Sequence, residues 1–301
     1  MWGLMMRMPS WLAQHLAAVR ALLVFTVLTG VLYPFAVLAI AQLPGLKHHA
    51  DGSLATVGDT TVASEIIGQN FTGKDGKALV QYFQGRPSAA GATGYDPTAS
   101  GASNLGPESI VDVLPDPSAK DDKGKPSLLT QVCTRSAAVG MLEGVDGSRP
   151  YCTAGGVGAV LAVYHRDGAT GPVTRAVSLN EACPAAPFIA SYQGVPVECA
   201  KFGEDHTRAV VTPVRGDAPA TPAVPADAVT ASGSGLDPQI SIGYAELQAP
   251  RVAKARGIDP AAVQQLIDKY TTGRALGFMG YPAVNVVELD IDLDQHHPYH
   301  S

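Results

Sequence analysis

The stretch at residues 21–41 reads ALLVFTVLTGVLYPFAVLAIA and contains no charged residue. An α-helix rises about 1.5 Å per residue, so a run of this length matches the roughly 30 Å hydrocarbon core of a bilayer. Arg7 and Arg20 precede the run and no acidic residue does, so the positive-inside rule assigns residues 1–20 to the cytoplasm. We therefore predict one transmembrane helix, residues 21–41, in the cell membrane, with the bulk of the chain outside the cytoplasm.

A cleaved secretory signal is the alternative interpretation of the same run. Ala39 and Ala41 have the small-residue spacing of a signal peptidase site. The run is longer than the about 7–15 apolar residues of a typical signal core, which favours a retained anchor. Both interpretations export the rest of the chain.

The remainder of the chain contains no second apolar run of spanning length, which predicts a single-pass protein. The formal net charge is −6, and the lysines and arginines form no block outside the short N-terminal tail. A basic patch is the electrostatic requirement for nucleic-acid binding, so we expect no nucleic-acid partner.

The four cysteines all lie in one central section of the chain, at Cys133, Cys152, Cys183 and Cys199. An even number in an exported chain predicts two disulfides, and no Cys-x-x-Cys spacing indicates a metal or redox site. We predict the sequential pairing, Cys133 with Cys152 and Cys183 with Cys199, which closes two short loops. Four cysteines permit three connectivities, so the pairings of Cys133 with Cys183 or Cys199 remain open at this stage.

Two proline-rich linkers, residues 115–127 and 213–228, enclose the cysteines and a strand candidate at residues 157–164. This arrangement predicts an inserted subdomain, residues 107–221, within an outer domain formed by residues 42–106 and 222–301. The predicted fold class is α+β: one N-terminal transmembrane helix, then an extracytoplasmic mixed α/β domain with a disulfide-containing insertion. We expect the flanks to fold without residues 124–215.

Residues 222–301 carry the clearest periodic patterns. A helix with Asp237 as its N-cap candidate is expected to pass Ala245 and end at Gly257. A second helix begins at Asp259–Pro260 and has an apolar stripe formed by Val263, Leu266, Ile267 and Tyr270. The alternation from Pro282 onward predicts one long strand with a bulge at Val287. On that strand Asp290, Asp292 and Asp294 are expected to face solvent, and the terminal histidines are expected to be disordered.

Glycine, serine and alanine dominate residues 82–106, a segment unable to fill a core but suited to irregular ordered backbone. Arg86 is its only charge before Asp96. We expect Arg86 either to pair with a local carbonyl or Asp96, or to lie at a partner surface.

The sequence resembles the C subunit (KdpC) of the Kdp-type potassium-transporting ATPase. The resemblance covers residues 12–106 and 222–294, and the span carries its Gly30-x-x-Tyr33-Pro34 pattern. Its motifs are IIGQNFTG, YFQGRPSAA, YDPTASGASNLG, VTASGSGLDPQIS, QAPRVAKARG and NVVELD. The short family form has a helical linker where residues 107–217 lie here, so the insertion is atypical of that form and has no functional interpretation.

The resemblance implies a non-catalytic subunit of an ATP-driven potassium import complex. It implies three partners: a channel-like potassium-translocating subunit (KdpA), a P-type ATPase subunit (KdpB) and a small stabilising peptide (KdpF). The family member acts as a catalytic chaperone that stabilises the complex and raises its affinity for ATP, while K⁺ is the transported ion. The chain itself would hold no tightly bound cofactor and no metal, and ATP would act through the complex.

Two sets of residues follow from this resemblance. The region that the family links to nucleotide corresponds to Ser232, Gly233, Ser234, Gly235 and Gln239. We predict a partner interface formed by Gln69, Asn70, Phe71, Gly85, Arg86, Pro87 and Ser88. Because the predicted topology separates the outer domain from cytoplasmic ATP, we favour an indirect effect on ATP affinity.

Two other functions compete with this interpretation. A membrane-anchored external enzyme would need a nucleophile elbow or a metal site, but the sequence at Ser232–Gly235 lacks the G-x-S-x-G frame and the histidines follow no ligand spacing. We therefore predict no catalytic residue. A membrane-anchored extracellular binding or adhesion module is the remaining alternative, because the disulfide-containing insertion alone would allow it.

Overall fold

A computed structural model describes residues 9–101 and 104–300 of the chain. The fold is mixed α+β, with one N-terminal apolar helix and two disulfides. It divides into two compact units, one ending at Ser64 and the other beginning at Glu65.

The first unit contains the predicted span. Helix α1 (Ser10–Val27), a π turn (Leu28–Leu32) and helix α2 (Tyr33–Ala41) form one helix that is long and apolar enough to cross a membrane. Pro34 has no N–H and its ring would clash with the carbonyl of Gly30, so the wider π turn beside it accommodates the proline. A short helix α3 (Lys47–Ala50) and an antiparallel hairpin of β1 (Leu54–Val57) and β2 (Thr60–Ser64) complete the unit.

The inserted segment begins with helix α4 (Leu128–Glu143) and continues as a five-stranded sheet. The sheet order is β5-β6-β4-β3-β7, and only the β4–β6 pair among the described ladders of this sheet is parallel. Its strands are β3 (Val160–His165), β4 (Val173–Ala182), β5 (Ser191–Tyr192), β6 (Val195–Ala200) and β7 (Val210–Pro213). The strand predicted at residues 157–164 is therefore confirmed as β3.

Both predicted disulfides are confirmed. Cys133 of α4 is bonded to Cys152, which lies before β3, and Cys183 after β4 is bonded to Cys199 of β6. The two bonds therefore join the helix to the sheet and reinforce the loop after β4. Apolar side chains are buried on both faces of the sheet, with Val160 and Val177 on one face and Leu161 and Ala176 on the other.

The remaining elements belong to the second flank. Strands β8 (Gln239–Ser241), β9 (Thr271–Thr272) and β10 (Ala283–Asn285) form an antiparallel sheet in the order β8-β10-β9. Helices α5 (Ile242–Arg256), α6 (Pro260–Lys269) and α7 (Val286–His296) pack with this sheet around the main core. Its largest fully buried side chains include Phe83, Tyr244, Ile240, Ile267, Leu289 and Leu293.

The insertion shares that main core. Val132 and Val139 of α4, and Val145 just after it, pack against the flank residues. Deleting residues 124–215 would therefore remove side chains that pack on the flank core. Whether the flanks fold without them stays a prediction.

The two flank helices were predicted with different success. Helix α6 is confirmed: Asp259 caps it, Pro260 opens it, and Val263 and Ile267 are buried. The end of α5 at Gly257, which adopts φ +66°, is also confirmed. Its start was predicted wrongly, because strand β8 intervenes after Asp237 and Ser241 accepts the capping hydrogen bond from the Tyr244 N–H.

The long strand predicted from Pro282 is wrong. Only Ala283–Asn285 is strand, and α7 follows it directly. The Asn285 side chain accepts hydrogen bonds from the N–H groups of Val287 and Glu288, which caps the helix. Leu289 and Leu293 share a buried helix face, and Asp290 and Asp292 are buried rather than solvated. Over this short window the apolar spacing is compatible with both a strand and a helix, and the Asn285 cap favours the helix.

Candidate functional site

Three motif segments meet in space. We call residues 68–71, 84–101 and 229–239 the glycine–serine junction. The Gly68 N–H donates to the Leu236 carbonyl at 2.8 Å, and the Gly101 N–H donates to the Ser234 carbonyl at 2.9 Å. The Ser88 hydroxyl donates to the Gly235 carbonyl at 2.6 Å. The segments predicted as the nucleotide-linked region and as the partner interface are thus in direct contact.

Arg86 holds two of these segments together. Its guanidinium donates to the carbonyls of Thr230 at 3.3 Å and Ala231 at 3.1 Å, and lies 3.8 Å from an Asp237 carboxylate oxygen. Arg86 therefore pairs with carbonyls of its own chain, but these are not local, because Thr230 and Ala231 lie 144 and 145 residues away in sequence. The expected acid is not its partner: Asp96 instead accepts hydrogen bonds from the Thr98 N–H and hydroxyl.

Tyr95 fills the centre of the junction, a role that was not predicted for it. Its N–H donates to the Ser88 hydroxyl at 2.7 Å and its hydroxyl donates to the Arg86 carbonyl at 2.5 Å. Burial raises its pKa to about 12, so the hydroxyl stays a donor at neutral pH. A Cβ atom at Gly85 would lie 2.5 Å from that hydroxyl, and one at Gly68 would lie 2.3 Å from the ring. The backbone of Tyr95 has φ +57°, which is unusual for tyrosine, and it belongs to no helix or strand whose periodicity could have marked it.

The loop at residues 232–235 folds on itself. The Gly235 N–H donates to the Ser232 hydroxyl at 3.0 Å. The Ser234 hydroxyl donates to Asp237 at 3.0 Å and accepts from the Leu236 N–H at 3.0 Å. Gly235 has φ +72°, and a Cβ atom there would lie 3.0 Å from Ala90. Its glycine is therefore required by conformation and by close packing.

The described residues of the junction offer no unengaged cation to the phosphates of a nucleotide. The Arg86 guanidinium is engaged with two carbonyls and Asp237, and most carbonyls of the 230–236 turn accept hydrogen bonds within the chain. The described part of the chain has no group of three or more His, Cys, Asp or Glu residues that could hold a metal ion. Gly233 and Gln239 are exposed, yet neither supplies a charge for phosphate.

The residues predicted as a partner interface are mostly engaged inside the chain. Phe71 packs on the main core and stacks on Tyr82 with 5.2 Å between ring centroids. The Asn70 side chain donates to the Thr93 carbonyl. Gln69, Gly85, Pro87 and Ser88 are half-buried. Their role at a partner surface remains a prediction.

A second group of motif residues pins the segment Tyr82–Gly85 to the helices. The buried side chain of Gln248 on α5 accepts from the Gln84 N–H at 2.7 Å and donates to the Gln84 carbonyl at 3.1 Å. It thereby substitutes for a neighbouring strand. Arg256, whose side chain is fully buried, donates to the Gln81 carbonyl and to Asp294, both at 2.8 Å.

Arg251 links this segment to the insertion. It forms an ion pair at 3.0 Å with Glu143 of α4, whose side chain has no exposed area. It also donates to the carbonyls of Val80 at 2.6 Å and Tyr82 at 2.9 Å. Burial raises the pKa of Glu143, and the Arg251 guanidinium opposes that rise.

Asp290 on α7 is a second buried acid of the group. One of its oxygens accepts from the Phe83 N–H at 3.0 Å, and the other has no hydrogen-bond partner among the described residues. Burial raises its pKa well above the ordinary value, although the Phe83 N–H and Arg256 act in the opposite direction. The YFQG, QAPRVAKARG and NVVELD motifs therefore supply a buried polar network that orders irregular backbone.

One further loop has the opposite character. Residues 274–281 connect β9 to β10 and read RALGFMGY; we call them the apolar tip. The exposed fractions are 82% for Leu276, 72% for Phe278, 52% for Met279 and 85% for Tyr281. No role was predicted for this loop.

Comparison with known proteins bears on the function of this arrangement. The model of the family described as "K+-transporting ATPase, c chain" matches residues 15–113 and 201–295. A potassium-transporting ATPase KdpC subunit of Kineococcus radiotolerans is 34% identical over 286 residues, which cover 95% of each chain. The KdpC subunit of Mycobacterium tuberculosis is 33% identical over 282 residues, covering 94% of this chain and 98% of the relative. That of Rhodospirillum rubrum is 34% identical over 273 residues, 91% of each chain.

The insertion is not peculiar to this chain. The family model does not match residues 114–200. The alignment with the Kineococcus relative, however, covers 95% of this chain, so most of residues 114–200 must lie inside that alignment. The Kineococcus relative therefore has a counterpart for most of the inserted segment. On these matches, the chain belongs to the KdpC family of K⁺-transporting ATPase subunits.

Proposed function

We propose that the chain stabilises an ATP-driven potassium import complex and raises the ATP affinity of its P-type ATPase subunit from outside the cytoplasm. Family membership makes it an accessory subunit and not the catalytic one. The observation that carries the proposal is the use of the helix α5 motif residues: the side chains of Gln248, Arg251 and Arg256 order the backbone of residues 80–84.

Coupling to ATP is proposed to be indirect. A subunit changes the affinity of another for its ligand if it binds two conformational states of the assembly unequally. This requires a rigid docking surface and no nucleotide site of its own. The buried network around Tyr82–Gly85 and the closed 232–235 loop support such rigidity.

The proposed partners are the channel-like potassium-translocating subunit (KdpA), the P-type ATPase subunit (KdpB) and the small peptide (KdpF). The proposed location is the cell membrane, with residues 10–41 containing the span. The N-terminus would be cytoplasmic and the second unit extracytoplasmic, where the two disulfides are stable.

Purification from native membranes tests the proposal. A tagged chain should bring down a channel-like protein and a P-type ATPase in fixed ratio. Membranes from cells lacking the chain should then show lower potassium-stimulated ATP hydrolysis and a higher KM for ATP. Unchanged assembly and hydrolysis without the chain would refute the proposal. A chain that purifies alone would favour an anchored extracellular binding module.

A further inference from the structure

The apolar tip exposes more large apolar side chains than any neighbouring loop of the described flank. Leu276, Phe278 and Tyr281 are each more than two-thirds exposed, whereas the adjoining strand β10 has Val284 completely buried. An aromatic side chain buries about 150–250 Å² when covered, so the four apolar side chains of the tip present on the order of 500 Å². Patches of this size on a soluble surface are commonly functional.

The tip is also built to keep its shape. The N–H of Ala275 donates to the carbonyl of Met279, and the N–H of Met279 donates to the carbonyl of Ala275, both at 2.9 Å. Leu276 and Gly277 lie in the left-handed region, at φ +53° and +80°. The tip is followed by β10, which is the central strand of the three-stranded sheet and fixes the end of the loop. A loop that is already ordered loses little conformational entropy when it binds.

Its composition favours a protein surface over a lipid surface. Tyrosine, phenylalanine, methionine and arginine are enriched at the centres of protein interfaces, whereas lysine, acids and serine are depleted. Residues 270–287 contain no lysine, acid or serine. The only cation of the tip, Arg274, lies 5.6 Å from the Tyr281 ring centroid. Electrostatic attraction to anionic lipid head groups grows with the number of cations, so a single arginine contributes little to it.

A second copy of the chain is a poorer occupant. The cavity of about 700 Å³ between α4 and residues 72–84, near Tyr244, is the apolar recess that such a copy would offer. Insertion of one tip into the next chain's recess is a head-to-tail contact, which propagates instead of closing. The tip is also smaller than the about 800 Å² per partner of a stable interface, so other surfaces must contribute.

We propose that the apolar tip, residues 274–281, inserts into a concave apolar pocket on another subunit of the potassium-transporting ATPase assembly and forms the centre of that interface. The inference rests on the proposed function, because it requires an assembly for the tip to join. Within it, Leu276 and Phe278 are the anchor side chains, and Arg274 and Tyr281 border them.

Photo-crosslinking in the full assembly tests the contact. Phe278→p-benzoylphenylalanine should yield an adduct with another subunit in intact membranes. Phe202→p-benzoylphenylalanine is the matched control, because Phe202 is 49% exposed but lies on the insertion. Adducts at position 278 with lipid only, with a second copy of the chain, or with nothing would overturn the inference.

Paired variants separate this inference from the proposed function. The double change Leu276→Ser and Phe278→Ser should lower co-purification of the other subunits by tenfold or more, since truncation of an anchor residue at the centre of an interface removes a large share of the binding energy. Phe202→Ser should leave it unchanged. If the unmodified chain brings down no partner, the proposed function fails. If it does and the double variant assembles equally well, the tip is not the interface.

Discussion

The glycine–serine junction and the apolar tip are both irregular loops, yet their chemistry is directed oppositely. In the junction, Ser88, Arg86 and Tyr95 direct their polar groups at neighbouring backbone of the same chain. In the tip, Leu276 and Phe278 project into solvent, and the backbone of the turn is already paired. A loop rich in glycine and serine can thus be a structural joint, while a contact surface is recognised by exposed apolar area supported by rigid backbone.

The difference has an energetic consequence. Changes in the junction or in its supporting network remove satisfied buried groups, so they should reduce the stability of the chain first and assembly as a result. Changes in the tip should leave the isolated chain intact and affect assembly alone. Four substitutions test this division, and each is measured as a free energy of unfolding in detergent.

Removal of Glu143 is expected to have the largest effect. Glu143→Ala leaves the buried Arg251 guanidinium without its ion-pair partner, and breaking a buried pair on one side costs about 3–5 kcal/mol. Denaturant unfolding followed by circular dichroism measures the loss. The double variant Glu143→Ala and Arg251→Met should be less unstable than the sum of the single changes. Additive losses would mean that the pair does not couple α4 to the flank.

Gly68→Ala is expected to have the next largest effect. Its Cβ would lie 2.3 Å from the Tyr95 ring and 2.9 Å from the Asp237 carbonyl, so the junction must open or shift, at a cost of about 1–3 kcal/mol. The control is Gly233→Ala, because no described atom lies within 4 Å of its added Cβ. Equal stability of the two variants would show that Tyr95 does not fill the junction.

Elements outside the two loops show what sequence reasoning can predict. Helix α6 was predictable because Asp259, Pro260 and an apolar stripe agree on one local answer. The disulfide pairing was predictable because pairing neighbouring cysteines closes two short loops, and closing a short loop costs less chain entropy than closing a long one. Tyr95 was not, since its position depends on three segments distant in sequence and on a left-handed backbone that only the assembled junction imposes.

Helix α7 and the apolar tip were missed for different reasons. Alternating valines and aspartates predicted a strand, whereas the cap by Asn285 and the burial of Asp290 are tertiary outcomes. Leu276 and Phe278 were assigned no role, because an apolar residue type does not itself reveal exposure, and only the fold shows that these side chains are not covered. For the site, the sequence located the motif segments, but not the direction in which their side chains point.

Asp290→Asn is expected to have a smaller effect of opposite sign. An acid whose pKa is raised by folding opposes folding once the pH exceeds the pKa of the unfolded chain, about 3.9 for aspartate, and the penalty grows with pH. Asparagine keeps an oxygen for the Phe83 N–H and carries no charge, so stability at pH 7 should rise by about 1 kcal/mol. The two chains should converge below about pH 4.

A pH series of unfolding midpoints measures this difference. Lower stability of the variant at pH 7 would contradict the expectation, because it would mean that Asp290 is ionised and held by Arg256. The acid would then belong to the ion pairs of the network rather than to its neutral groups.

Leu276→Gly gives the smallest change in stability and the sharpest separation of the two loops. A non-glycine residue at φ +53° is strained by about 1–2 kcal/mol, while glycine costs roughly 0.5–1 kcal/mol more backbone entropy on folding. Because the Leu276 side chain is 82% exposed, little packing is lost. The isolated chain should therefore be unchanged or more stable by up to about 1 kcal/mol. Co-purification with the assembly should nevertheless fall, because the anchor side chain is gone. A loss of stability above about 1 kcal/mol would instead mean that Leu276 packs within its own chain. The apolar tip would then stabilise the chain itself, as the glycine–serine junction does, and the two loops would no longer differ in this respect.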